Sequence, residues 1–248
     1  MLLSTQGLVL HTFPYSESSL IVRVFTERMG VKSYVIKGAR KATSRVQQAL
    51  LQPLSWLDMV VYDNPRTPLN YIKEFTPLYH TAESDQVTNA LMFFMDELLY
   101  RTLREGEPMP ELFRYAQSTT QALKQSNNQT INQSSIPLTF LITVAKHMGI
   151  APLNNYCIHE PCFSIPEGRF VSGSVFDATP HGELDLVPED VSSALHDYLE
   201  AVYTNTAPPN HSLSTRTQLI AVLIDYYKHH LAYFGKFTSH EILHTVLS

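Results

Sequence analysis

Ser19-Leu20-Ile21-Val22-Arg23-Val24-Phe25-Thr26 and Val31-Lys32-Ser33-Tyr34-Val35-Ile36-Lys37 are two β-branched and aromatic runs, separated by a turn at Arg28-Met29-Gly30. Their composition is that of half-buried strands, and Gly30 suits the positive-φ position of a short hairpin. Working outward, similar segments cover 7–13, 54–62 and 69–78. The turn residues Pro14-Tyr15-Ser16-Glu17-Ser18 and Asp63-Asn64-Pro65-Arg66-Thr67-Pro68 separate strands. Five short strands within about eighty residues predict a five-stranded Greek-key barrel of the OB type, with an SH3-like barrel as the rival.

Successive side chains on a strand face opposite ways. Leu20, Val22 and Val24 make a uniform apolar face, so Ile21, Arg23 and Phe25 are expected to face out. In the next strand Val31, Ser33 and Val35 share one face, and Lys32, Tyr34 and Ile36 the other. The reading places Arg23 and Phe25 beside Lys32 and Tyr34 on one exposed surface. Cations there would neutralise phosphates and rings would stack on bases. In OB barrels the face of strands two and three is where oligonucleotides commonly lie. The segment Lys37-Gly38-Ala39-Arg40-Lys41-Ala42-Thr43-Ser44-Arg45 adds a basic loop beside that face. It lacks the G-x-x-x-x-G-K-[ST] pattern, so nucleotide hydrolysis is not implied.

The net charge of −5 is unevenly spread. Residues 1–79 hold nine Lys and Arg against five Asp and Glu, a net +4, and the remainder nine against eighteen, a net −9. Opposite signs in the two parts suggest two functional surfaces, one of them seeking a polyanion. Between 23 and 45 there are seven cations and a single acid, Glu27.

From Ser84 the period becomes helical, with Val87, Leu91, Phe94, Met95, Leu98 and Leu99 on one stripe broadened by Met92 and Phe93. Further helices are expected at 111–125, from Pro137 to a stop at Gly149, at 188–202 and at 213–234, with Ser239 capping a short last one. The expected organisation is α+β: an OB-type barrel domain over 1–80 and an all-helical domain over 81–248, the latter with an irregular insertion at about 151–187. At 248 residues with 44% apolar content the chain is ordinary globular protein. Two cysteines and no basic, apolar leader at the start suggest a cytoplasmic location, and no stretch is apolar enough to span a bilayer.

Two motifs resemble metal sites. His240-Glu241-Ile242-Leu243-His244 is a literal H-E-x-x-H, the pattern of a zinc hydrolase whose Glu serves as general base. No third ligand is signalled, and an amphipathic helix with Ile242 and Leu243 packed inward explains the residues. Cys157-Ile158-His159-Glu160-Pro161-Cys162 offers one thiol pair where structural zinc takes two. His159 or His181 would have to complete the set. No metal and no cofactor is expected.

The chain resembles the RecO family of bacterial DNA repair and recombination mediator proteins. The resemblance is carried by Gly7-Leu8-Val9-Leu10-His11-Thr12, the turn Tyr15-Ser16-Glu17-Ser18-Ser19, the strand from Leu20 to Phe25 ending in Thr26, and Ile36-Lys37-Gly38-Ala39-Arg40-Lys41. It implies an N-terminal OB-fold and a helical C-terminal domain, binding to single- and double-stranded DNA, strand annealing, and work with RecR and single-stranded DNA-binding protein to load recombinase, in the cytoplasm at the nucleoid. Many members carry a four-cysteine zinc site in the helical part. Here only the first pair is present, so the loop is expected to be a degenerate, zinc-ribbon-like one. The reading is of a non-catalytic DNA-binding protein, with Arg23, Lys32, Lys37, Arg40, Lys41 and Arg45 on phosphates and Phe25 and Tyr34 on bases. The competing readings are an RNA-binding module, a zinc hydrolase built on His240, Glu241 and His244, and an adaptor acting through its acidic helical part.

Overall fold

A computed structural model describes residues 2–40, 45–64, 67, 69–79, 85–125, 133–173 and 186–247. The chain forms two compact units, Met1–Ser126 and Asn127–Ser248.

The first unit opens with five strands: β1 (Leu2–Pro14), β2 (Leu20–Thr26), β3 (Gly30–Ile36), β4 (Trp56–Tyr62) and β5 (Asn70–Pro77). They close into a barrel in the order β1-β2-β3-β5-β4. Two features make closure possible. Strand β1 is long enough to pair with β4 along its first half and with β2 along its second, and its register shifts between Val9 and His11. Strand β5 meets β4 antiparallel and β3 in a short parallel pairing, Tyr34 with Asn70 and Val35 with Tyr71. Closure leaves no open sheet edge of the kind that invites pairing with other chains. Inside, Val9, Leu20, Val22, Val24, Leu57, Met59 and Val61 fill the core, each contributing on the order of 1.5–3 kcal/mol by burial. Gly30 has φ of 66° at the hairpin, and a Cβ there would strike the backbone carbonyl of Glu107. Only glycine fits both constraints.

A short helix, α1 (Arg45–Leu50), follows β3, where the sequence suggests only a basic loop. Helices α2 (Gln86–Thr102) and α3 (Pro110–Gln125) complete the unit. Asp85 caps α2 by accepting from the Thr88 N–H at 2.8 Å. The stripe predicted for α2 is buried apart from Val87, which is partly exposed, and Phe93, which is exposed. Phe113 on α3 lies 5.4 Å from Phe25 and 5.3 Å from Trp56, both edge-on. The part of the outer face that carries Phe25 and Trp56 is thus covered by α3.

The second unit contains α4 (Ile136–His147), α5 (Glu189–Thr204), α6 (Leu213–His230) and α7 (Ser239–Leu247). Helix α4 is apolar nearly all round and accordingly central. Tyr227 is fully buried and donates to the Leu141 carbonyl of α4 at 2.7 Å. Gly149 closes α4 with φ of 71°. Between α4 and α5 lies a two-stranded hairpin, β6 (Cys162–Ser164) with β7 (Arg169–Val171). On α7, Leu243 is buried but Ile242 is exposed, so the expectation that both pack inward is corrected. Adjacent residues on a helix lie about 100° apart, so where α7 buries Leu243 on one side, Ile242 turns toward solvent. No helix among the described residues is long and apolar enough to cross a membrane.

Candidate nucleic-acid interface

The expected surface of Arg23, Phe25, Lys32 and Tyr34 does not form. Strand β2 alternates as the sequence predicts, with Val22 and Val24 inward. Strand β3 presents the opposite face from the one expected. Val22 pairs with Tyr34 and Val24 with Lys32, so Lys32 and Tyr34 follow the valines to the inner face. Tyr34 is 0% exposed within the barrel core, and its Oη has no hydrogen-bond partner among the described residues. Desolvation, with the Asp63 carboxylate as a lesser cause, raises its hydroxyl pKa well above the ordinary phenol range. Lys32 reaches from the inner face to Asp63, 3.7 Å away. The long aliphatic stem makes that placement tolerable, since the ammonium leaves the core while the methylenes remain in it.

Arg23 and Phe25 do face outward, but onto protein. Phe25 is 0% exposed, sealed against Phe113. Arg23 donates from Nη2 to the carbonyl of Leu103, the C-cap of α2, at 2.9 Å, and its guanidinium sits 5.0 Å from the Tyr100 ring centroid. A cation at a helix C-terminus meets the negative end of the macrodipole, so Arg23 joins α2 to the barrel. Beside it, Ser33 donates to Glu105 at 2.5 Å and Gly106 donates to the Val31 carbonyl at 2.9 Å. The segment after α2 therefore lies along the outer face of β2 and β3. Neither ring is available to a base.

What remains exposed is the end of the barrel where β3 gives way to the basic loop. Lys37 and Arg40 are both exposed. Gly38, at φ of 74°, turns the chain between them. Arg40 donates from its backbone N–H to the Ser18 carbonyl at 3.1 Å and from Nη1 to the Ser16 carbonyl at 2.5 Å. The turn between β1 and β2 is thus tied to the loop after β3. Lys37 holds its ammonium 5.0 Å from the ring centroid of Tyr71. Among the described residues neither cation pairs with a carboxylate. Lys41 lies outside the described residues, as does the side chain of Arg45, whose backbone opens α1. Sequence reasoning passed over Tyr62 and Tyr71, which are 49% and 44% exposed and directly paired across β4 and β5. The signal was present in β4, where inward Leu57, Met59 and Val61 leave Tyr62 on the outer face.

Comparison with known proteins places this barrel. Residues 1–80 match the family model described as Recombination protein O N terminal, and residues 83–236 match Recombination protein O C terminal. The chain belongs to the RecO family. It is 30% identical over its whole length to the DNA repair protein RecO of Phocaeicola vulgatus, with all of that protein covered. It is likewise 30% identical to the DNA repair protein RecO of Flavobacterium johnsoniae, again with both chains fully covered. Another such protein, from Flavobacterium psychrophilum, is 27% identical over the full length of both. The closed OB-like barrel followed by helices agrees with this membership, and the RecO family places the chain in recombinational DNA repair.

The zinc site of many RecO proteins does not fit the donors present here. Cys157 is exposed, whereas Cys162 is buried. Burial, with Glu189 as a lesser cause, pushes the Cys162 thiol up, which disfavours the thiolate that a metal requires. His159 is exposed and His181 lies outside the described residues. Among the described residues no three His, Cys, Asp or Glu side chains come together, short of the four ligands a structural zinc takes. In the H-E-x-x-H segment, the His240 ring stacks on Phe237 at 5.8 Å while Glu241 points to solvent. The side chain of His244 lies outside the described residues.

Proposed function

We propose that this RecO-family chain is a non-catalytic DNA-binding mediator. It binds single- and double-stranded DNA at the loop end of its barrel, anneals complementary strands, and helps load recombinase together with RecR and single-stranded DNA-binding protein. The observation that carries this reading is the exposed pair Lys37 and Arg40, the latter held by the turn between β1 and β2, and neither with a carboxylate partner among the described residues. Lys41 and Arg45 extend the same basic segment along the sequence. Phosphate contacts of this kind position a nucleic acid without reading its sequence, as a protein that handles arbitrary damaged DNA requires. The two named partners and a nucleoid-associated location rest on the family resemblance. No bond is made or broken in this reading.

Fluorescence anisotropy of labelled single and double strands against rising salt tests it. The affinity is expected to fall linearly on a log–log plot, with a slope of about −0.7 per phosphate neutralised on single strands. Lys37→Glu with Arg40→Glu is expected to weaken binding to both substrates and to flatten that slope. Salt-independent affinity, or a double variant that binds like the parent, sinks the reading. Annealing of complementary oligonucleotides, with and without single-stranded DNA-binding protein, tests the mediator role, and Glu241→Gln is expected to leave it unchanged.

A further inference from the structure

An outward-facing row of side chains winds around the barrel through successive cross-strand pairs: Phe13 with Ile21, Ile21 with Val35, Val35 with Tyr71, Tyr71 with Tyr62, and Tyr62 with Leu2. Ile21 and Val35 are buried, whereas the two tyrosines stand in solvent as direct neighbours. Directly opposed side chains on antiparallel strands have Cβ atoms about 4.5–5.5 Å apart, so the two phenol rings share one patch. A cross-strand aromatic pair contributes about 0.2–1 kcal/mol to the sheet, yet roughly half of each ring stays in water, so the pair leaves one flat face of the barrel open to a ligand.

The charges around the patch indicate which ligand. Lys37 lies against the Tyr71 ring, and Arg40 stands three residues further along the same loop. The carboxylates nearest the rings in sequence are already engaged: Glu74 pairs with Lys73 at 3.1 Å and Asp63 faces Lys32. Flat aromatic faces beside cations that pair with no carboxylate among the described residues suit a polyanion that carries its own flat rings. Duplex DNA hides its base faces, whereas a single strand presents them.

From this juxtaposition we infer that Tyr62 and Tyr71 are a base-stacking platform for single-stranded DNA, with Lys37 and Arg40 taking the adjoining phosphates. The inference rests on the DNA-binding reading above and adds to it residues that act on bases. Stacking is blind to base identity because every base has a π-face. The platform therefore favours single over double strands without imposing a sequence.

The test uses the full chain, labelled oligothymidylate, and an abasic strand of equal length, in anisotropy titrations at several salt concentrations. The parent protein is expected to bind oligothymidylate more tightly than the abasic strand. Tyr62→Ala and Tyr71→Ala are each expected to weaken binding of oligothymidylate by about tenfold, the scale of one lost stacked base. Abasic binding and the salt slope should stay at parental values. Tyr62→Phe and Tyr71→Phe, which keep the ring, should bind as the parent does. Equal parental affinity for the two strands, or an unaltered oligothymidylate affinity in the double alanine variant with parental circular dichroism and melting, overturns the inference while leaving the phosphate-binding reading standing. A parent protein that binds neither strand overturns that reading, and the platform with it.

Discussion

Val24 and Lys32 oppose each other across the β2–β3 ladder, and this single pairing fixes which side of β3 enters the barrel. The turn sets it. Thr26 pairs with Gly30 across the three residues Glu27, Arg28 and Met29, so even-numbered positions of β2 meet even-numbered positions of β3. The valines of β2 then carry Lys32 and Tyr34 inward with them. A shift of one residue exchanges the faces completely, because the side-chain period of a strand is two.

Tyr34→Phe is the direct check on that register. The Tyr34 hydroxyl is buried and lacks a hydrogen-bond partner among the described residues, a desolvation cost on the order of 1–3 kcal/mol. Removing the oxygen while keeping the ring should leave the melting temperature unchanged or raise it, with no effect on DNA affinity. A clear loss of stability, or weakened DNA binding, speaks against the assignment.

Phe25 and Phe113 should behave as one packing unit. Alanine at either position is expected to cost about 3–5 kcal/mol in urea unfolding, as for other fully buried phenylalanines. The double variant should lose less than the two single losses together, by about 0.5–1.5 kcal/mol, since the edge-on ring contact can be removed only once. Strict additivity rules out the contact.

The barrel was legible in the sequence because β-branched runs, turn residues and a glycine at the hairpin all agree locally, and local agreement is what a sequence displays. The helices of the second unit were legible through their period, down to Pro137 at the start of α4 and Gly149 after it. The orientation of β3 was not, because Val31, Ser33 and Val35 are scarcely more apolar than Tyr34 and Ile36, and the only charge on either face is Lys32, long enough to snorkel. Nor does the local pattern of β2 reveal that Phe25 faces a helix about ninety residues further along the chain. An outward aromatic reads alike whether it meets water or protein.

Arg23 separates the structural cations from the binding ones. Arg23→Ala should lower stability by about 1–2 kcal/mol, since it removes a cation and a charge-assisted hydrogen bond from the end of α2. The slope of DNA affinity against salt should remain parental, whereas Lys37→Glu should flatten it. Equal effects of the two on that slope place Arg23 on the DNA after all.

Helix α2 carries two aspartates whose titrations pull stability in opposite directions. At its N-terminus, Asp85 accepts from the Thr88 backbone N–H, and that bond foremost holds its carboxyl below the usual carboxylate range. Its contribution is therefore complete above the unfolded value of about 4 and fades as pH falls through the lower folded value. Asp96, in the middle of the helix, is buried with Oδ1 unpartnered among the described residues, and desolvation, more than the neighbouring Glu97, raises its carboxyl well above that range. Folding favours its neutral form, so stability is lost as pH rises from about 4 through the elevated folded value. Asp85→Ala should cost about 1 kcal/mol at neutral pH and progressively less in acid, while Asp85→Asn keeps a cap indifferent to pH. Asp96→Asn should raise stability at neutral pH and remove the decline on the alkaline side of 4. Urea unfolding of the full chain between mildly acid and neutral pH measures both. An Asp96→Asn variant less stable than the parent at neutral pH, or parallel pH profiles for the parent and all three variants, contradicts the assignment.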